Sequence, residues 1–306
     1  MTQTPLCLGI GELMVELAPS DRPDYLRRGY AGDVFNTLYY ARILMPTDWR
    51  VGFHTAFGTD TLSDDMQTFI ALHNIDCTDT PLVEGCNPGL YMIHLHDGER
   101  SFSYWRNASA ARQLMRDSDL LAAKLAAARF IYISGISLAI LSPSDRHLLL
   151  EMISQERRAH STVFFDSNIR EKLWPDADEM RAAIMAAGAI ADIVLPSLDD
   201  EKRSFGDTNA QSVADRYMGL SAHTVIVKNG AAPTLLMDAG GSAWFAPQAV
   251  HKPLDSTAAG DAFNGGLMAE LACGKPVREA ILGAHACAAR VILETGALAP
   301  ADIFRV

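Results

Sequence analysis

Two hydrophobic periods alternate along this chain, and their succession predicts a sheet covered by helices. Short apolar runs at Leu6-Cys7-Leu8-Gly9-Ile10, Phe130 to Ser134, Thr162-Val163-Phe164-Phe165, Ile193-Val194-Leu195 and Thr224-Val225-Ile226-Val227 have the length and composition of buried strands. Helical spacing separates many of them, and strands alternating with helices are the mark of a parallel sheet. One such helix runs from Asn36 through Ala41 and Leu44. Another shows its period from Phe263, since Phe263, Leu267 and Leu271 recur every four residues, and a last one spans Val277 to Leu293 and stops at Gly296. Residues 88 to 106 break this rhythm and read as a hairpin. Leu90 to His96 is strand-like, Asp97-Gly98 supplies a turn, and Ser101 to Arg106 runs back. A period of two places Phe102, Tyr104 and Arg106 on one face.

Composition narrows the picture. The 306 residues are 49% hydrophobic and 21% charged, which is ordinary globular composition with room for a large core. A formal charge of −11 argues against nucleic acid and anionic membranes as partners, so an anionic substrate needs a local Arg or Lys. No stretch approaches the length of a membrane span, and Met1-Thr2-Gln3-Thr4-Pro5 lacks a charged leader. Five cysteines (Cys7, Cys77, Cys86, Cys273, Cys287) without C-x-x-C spacing are expected as reduced thiols in the cytoplasm. Gly9-Ile10-Gly11 opens like a dinucleotide fingerprint. Met14 stands where its third glycine belongs, and Val15 to Pro19 reads as a strand, which argues against a nicotinamide or flavin site. A nicotinamide-dependent dehydrogenase is left as a competing reading that a lack of NAD binding would dispose of.

The chemistry concentrates in Asp255-Ser256-Thr257-Ala258-Ala259-Gly260-Asp261-Ala262-Phe263-Asn264, a small-residue loop opening into a helix. Free N–H groups in a first helical turn suit phosphate, and Ala and Gly let it approach. A carboxylate fixed in that turn, Asp261, suits proton abstraction beside an anion hole. The bland alternative is a helix start capped by Ser256 or Thr257. Upstream, Gly32-Asp33-Val34-Phe35-Asn36 places Asp and Asn at a helix entry, either for polyol hydroxyls or as a cap. Asp166-Ser167-Asn168-Ile169-Arg170 follows a predicted strand, on the edge of the sheet where ligands bind. A plain Asp166–Arg170 ion pair holding the loop is the alternative there.

The Asp255 to Phe263 stretch resembles the C-terminal signature of the ribokinase-like (PfkB) sugar kinases, Asp-Thr-Thr-Gly/Ala-Ala-Gly-Asp-x-Phe, with Ser256 at the second position. Gly32 and Asn36 keep the spacing of that family's Gly-Gly-x-x-x-Asn signature, with Ala31 replacing the first glycine, and Phe57-Gly58-Thr59-Asp60 is similar to its Gly-x-Asp segment. Three further segments are similar to the branch of the family that phosphorylates 2-keto-3-deoxygluconate: Tyr104 to Ala111, Ile133 to Ile140, and Asp166 to Trp174.

The resemblance implies a three-layer α/β/α fold with a mostly parallel central sheet. It implies one domain over residues 1–306, with β-lid segments at about 12–32 and 88–106. Asp261 would be the base, and the N–H groups of Ala258, Ala259 and Gly260 the anion hole. Gly32, Asp33, Asn36, Tyr91, Tyr104, Arg106 and Arg170 would bind the sugar acid. Asn168, Arg170, Ser197, Lys228, Asn229, Gly230 and the anion-hole residues would bind the nucleotide. ATP and Mg2+ are the implied cofactors, and the loop at Gly296 is where the family places a monovalent cation such as K+. Ser197 and Asp200, with Glu201 adjacent, replace the family's Asn-x-x-Glu at magnesium, so the metal's carboxylate is left open. A homo-oligomer formed through the lid is also implied. The other readings are a kinase for 2-keto-3-deoxygalactonate, fructose or ribose, and a sugar sensor without catalysis.

Overall fold

The computed structural model describes residues 4–20, 22, 24–96, 99–220 and 222–304. The chain opens with β1 (Leu6–Ile10) and then leaves the main sheet for β2 (Met14–Pro19) and β3 (Leu26–Ala31). It returns through α1 (Asp33–Leu44) to β4 (Arg50–His54), a short β5 (Phe57–Gly58), α2 (Thr61–Leu72) and β6 (Leu82–Val83). A second departure forms the hairpin of β7 (Gly89–His96) and β8 (Glu99–Trp105). The expected Asp97-Gly98 turn lies outside the described residues, as do Met1 to Gln3.

From there strands and helices alternate. They are α3 (Ser118–Ala127), β9 (Ala128–Ser134), α4 (Gly135–Ala139), α5 (Pro143–Ala159), β10 (Thr162–Asp166), α6 (Ala177–Ile190) and β11 (Ile193–Val194). After α7 (Leu198–Phe205) and α8 (Ala210–Met218) come β12 (Thr224–Val227) and the hairpin of β13 (Thr234–Asp238) and β14 (Gly241–Phe245). Helices α9 (Ala259–Ala272) and α10 (Val277–Val291) follow, and a 3-10 turn at Ala301–Phe304 ends the order.

Among the described residues the main sheet has eight strands in the order β14-β13-β12-β11-β10-β9-β1-β4. Its pairs are parallel from β4 to β12 and antiparallel at β13 and β14. Side chains alternate faces along a strand, so each apolar run feeds two cores. Leu8, Ile131, Val163, Phe165 and Val225 pack on one face with Leu149, Ile153, Ile184 and Val213 from α5, α6 and α8. Cys7, Tyr132, Phe164 and Ile226 pack on the other with Phe35, Leu38, Phe263, Leu267 and Ile281 from α1, α9 and α10. These are the three layers that the resemblance implies, around the parallel sheet that the pattern predicts. A separate four-stranded sheet, β3-β2-β7-β8, carries the two excursions.

Helix α9 lies between α1 and α10, and glycines set the spacing. A Cβ on Gly265 would stand 2.5 Å from the Thr37 carbonyl oxygen and 2.9 Å from the Ala41 nitrogen. Overpacking against backbone costs about 1–3 kcal/mol, while the better helix propensity of Ala returns up to about 1 kcal/mol. Gly265→Ala is therefore expected to lower stability by about 1–2 kcal/mol, read as a lower urea midpoint at unchanged slope. An unchanged or higher midpoint would show that α1 and α9 can separate without cost.

Candidate active site

The strands β10, β11 and β12 all point their C-terminal ends at one cleft of about 470 Å³, closed on its far side by the four-stranded sheet. This is where side chains just past parallel strands converge. Asp166 ends β10, Ser197 follows β11, Lys228 follows β12, and the start of α9 forms the remaining wall.

Helix α9 begins at Ala259, four residues before the periodicity at Phe263 becomes visible, because Ala258 to Ala262 carry no large side chain to register a period. Its N-cap is Ala258, in the left-handed region at φ 60°, and no side chain caps it. The capped start by Ser256 or Thr257 is thus not what forms. The Ala259 N–H turns back to the Ser256 carbonyl at 3.2 Å, so of the three N–H groups expected in an anion hole this one already has a partner. Asp255 is structural. Its Oδ1 accepts from the Thr257 N–H at 3.0 Å and the Thr257 hydroxyl at 2.7 Å, and its Oδ2 accepts from the Gly296 N–H at 2.8 Å.

Asp261, the other carboxylate of the stretch, lines the cleft. Asn36 Nδ2 donates to its Oδ2 at 2.8 Å, and the Gly32 N–H donates to Asn36 Oδ1 at 3.3 Å. Gly32 admits this arrangement because a Cβ there would stand 2.2 Å from the Glu12 carbonyl oxygen. Burial pushes the Asp261 carboxyl up to about 7, with Asp33 and Asp166 adding to the rise and Asn36 and Lys228 opposing it. A carboxylate with that affinity for protons is matched to general-base work near neutral pH.

Asp33 also lines the cleft, and its Oδ2 accepts from Asn168 Nδ2 at 2.6 Å. Asn168 itself sits at φ 28°, a backbone region non-glycine residues seldom occupy. Lys228 and Gly230 line the cleft, whereas Asn229 does not. The Asp166–Arg170 pair weighed from sequence does not form; Asp166 is bound by Lys228 Nζ at 2.7 Å.

Tyr91, Phe102 and Tyr104 make an aromatic wall, with ring centroids 6.0 to 6.2 Å apart. Arg170 faces the cleft 51% exposed; its Nη1 donates to the Ile169 carbonyl at 2.9 Å and lies 3.4 Å from Asp200. Arg106 departs from the expected face. Strand β8 ends at Trp105, and Arg106 beyond it turns inward to pair with buried Glu12, which also accepts from the Ser109 hydroxyl at 2.5 Å. Burial of both partners holds that guanidinium away from the cleft wall. Among the described residues, Arg170 and Lys228 are the cations lining the cleft, facing Asp33, Asp166, Asp200 and Asp261.

Of the three consecutive acids that open α7, Asp200 and Glu201 separate cleanly. Asp200 lines the cleft, while Glu201 is buried against Arg216 at 2.7 Å and the Tyr217 hydroxyl at 3.0 Å. Among the described residues no group of three or more His, Cys, Asp or Glu could hold a metal by itself. Asp200, the cleft acid on α7, also pairs with Arg203. A magnesium ion that comes with its phosphates and keeps most of its waters needs no more than one such carboxylate. Among the described residues no helix is long and apolar enough to cross a membrane.

Residues missed from sequence include Phe102, Met14 and Asn264. Asn264 had a signal, a lone amide one helical turn after Asp261 among apolar positions, whereas Met14 faces the cleft only because β2 pairs beside β7.

The family profile described as "pfkB family carbohydrate kinase" matches residues 6–303. The chain is 36% identical over 300 residues to the 2-dehydro-3-deoxygluconokinase of Escherichia coli (strain K12), covering 96% of each chain. It is 35% identical over 301 residues to that of Dickeya dadantii (strain 3937), again covering 96% of each. Among solved structures, the PfkB protein from Polaromonas sp. JS666 superposes with a TM-score of 0.81 at 27% identity, covering 95% of this chain and 96% of that one.

Proposed function

Because the chain belongs to the pfkB family of carbohydrate kinases, we propose that it transfers the γ-phosphoryl group of ATP to the terminal hydroxyl of 2-keto-3-deoxygluconate. The names of its Escherichia coli and Dickeya relatives, at 36% and 35% identity, support that acceptor. The observation that carries the reading is Asp261, held by Asn36 at the uncapped start of α9 in a cleft with Lys228.

In this reading Asp261 accepts the proton of the sugar hydroxyl, whose oxygen forms a bond to the γ-phosphorus as the bond to the β,γ-bridging oxygen breaks and ADP leaves. The N–H groups of the N-cap Ala258 and of Gly260 in the first turn, together with Lys228, meet the charge on the transferring group. Arg170 binds the carboxylate end of the sugar acid, and Tyr91 and Tyr104 lie along its carbon chain. Gly32, Asp33 and Asn36 hold its hydroxyls, while Asn168, Ser197, Asn229 and Gly230 lie toward the nucleotide. Magnesium, which would be held through Asp200 and its waters, neutralises phosphate charge when bound. The four-stranded sheet acts as a lid that excludes water, part of a single domain over residues 1–306. Its outer face, with Trp105 57% exposed, is the side through which a homo-oligomer would form. The need for ATP places the reaction in the cytoplasm, and a monovalent cation such as K+ belongs at the Gly296 loop.

A neutral sugar is the second reading. It is favoured by the burial of Arg106 against Glu12, which leaves one guanidinium facing the cleft among the described residues. Phosphorus NMR of the reaction products separates outcomes: a new phosphomonoester with 2-keto-3-deoxygluconate supports the proposal, whereas inorganic phosphate alone would count against phosphoryl transfer to the sugar.

The pH dependence follows from Asp261. Protonated below about 7, it cannot accept the hydroxyl proton, so kcat/KM is expected to fall about tenfold per pH unit on the acid side and level off above it. A flat profile from pH 5 to 8 would remove Asp261 as the titrating base.

A further inference from the structure

Asn264 occupies a position where an aliphatic side chain would satisfy the packing, between Phe263 and Leu267 on a helix buried on two sides. It is fully buried, and every polar atom of its amide is used. Its Nδ2 donates to Asp166 Oδ2 at 2.6 Å and to the Tyr132 hydroxyl at 3.0 Å, while its Oδ1 accepts from Lys228 Nζ at 3.3 Å. Asp166 is as fully engaged. Besides Asn264, its Oδ2 accepts from Lys228 Nζ at 2.7 Å, and its Oδ1 accepts from the Asn168 N–H at 3.1 Å. The Thr37 hydroxyl donates to Tyr132 at 3.2 Å and ties the group to α1.

The outcome is a lysine with little freedom. Its ammonium stands beside the first turn of α9, where a Cβ on Gly260 would lie 3.6 Å from Nζ. A long side chain on a loop after a strand would otherwise sample many rotamers, and an ammonium is a point charge whose usefulness depends on its placement.

We propose that Asn264 and Asp166 are positioning residues for phosphoryl transfer, fixing the Lys228 ammonium against the first turn of α9, where it meets the γ-phosphoryl group. This rests on the kinase reading of the cleft. Neither residue touches substrate in this scheme; both act through Lys228.

The test is a double-mutant cycle in the full chain, with ADP release followed from magnesium and ATP and thermal unfolding used to confirm folding. Asn264→Ala and the isosteric Asp166→Asn are each expected to lower kcat about 10–100-fold, with the KM for the sugar acid within about twofold of wild type. The Lys228→Met background is compared with kcat read well above pH 7, so that Asp261 is ionised whether or not the Asp166 charge is present. There either substitution should cost almost nothing more, because the residue it acts through is already gone. Losses that multiply in the Lys228→Met background, or folded single variants with wild-type kcat, would overturn the inference. If Asn264→Ala fails to fold, the Asp166→Asn cycle decides alone. A wild-type protein that turns over no sugar would instead sink the kinase reading, and this inference with it.

Discussion

Asp261→Asn is expected to lower kcat by about 10²–10⁴-fold, the usual worth of a positioned general base, while making the protein more stable at alkaline pH. Both effects come from one feature. The carboxyl is raised from 3.8 to about 7 chiefly by burial, with Asp33 and Asp166 adding to the rise. Between those values the folded protein binds a proton that the unfolded chain releases, so stability contributed by this group falls as pH rises through that window and stays low above about 7. At one pKa unit per about 1.4 kcal/mol, and with the group partly open to solvent, the ionised form costs on the order of 1–4 kcal/mol. An amide cannot ionise and can still accept the Asn36 bond through its oxygen, so the variant should gain that amount at pH 8 and lose the advantage near pH 4. Urea unfolding at the two pH values, beside steady-state ADP release, checks both halves. A variant that is inactive but no more stable at pH 8 would mean the carboxyl is solvated in the free protein.

Arg170→Met is expected to raise the KM for 2-keto-3-deoxygluconate by about 10–150-fold with little change in the KM for ATP. The guanidinium is half exposed in the cleft, held by the Ile169 carbonyl at 2.9 Å and by Asp200 at 3.4 Å. Turning to a substrate carboxylate therefore exchanges a bond to a neutral carbonyl for one to a charged group. A hydrogen bond to a charged group is worth about 1.5–3 kcal/mol, which sets the range. Arg170→Lys should recover part of the loss, since an ammonium keeps the charge but not the two-pronged geometry. Kinetics with each substrate varied in turn distinguish the roles: a rise confined to the KM for ATP would move Arg170 to the nucleotide side.

The sheet and its helices were legible in the sequence because burial on both faces writes each strand as an unbroken apolar run, as at Thr162 to Phe165. The period of α9 becomes visible only at Phe263, four residues after the helix starts, because small residues carry no period; its first turn is marked instead by the small-residue loop and Asp261. Asp261 could be found because the short-range pattern around it is itself the site: a loop, a helix start and a carboxylate in consecutive residues. Arg106 was misplaced for the opposite reason. Strand alternation predicts a face only while the strand lasts, and β8 stops one residue earlier, so the choice between the cleft and Glu12 was made by a residue 94 positions away. The Asn264–Asp166–Lys228 contacts join α9, β10 and the residue after β12, and only the tertiary fold brings those together.

The most direct test compares ADP release from magnesium and ATP with 2-keto-3-deoxygluconate, ribose and fructose as acceptors, using the wild type and Asp261→Asn. Turnover with the keto acid well above the neutral sugars, lost in the variant, is the predicted result. Equal or faster turnover with ribose or fructose would contradict the acceptor, and undiminished turnover in Asp261→Asn would contradict the base.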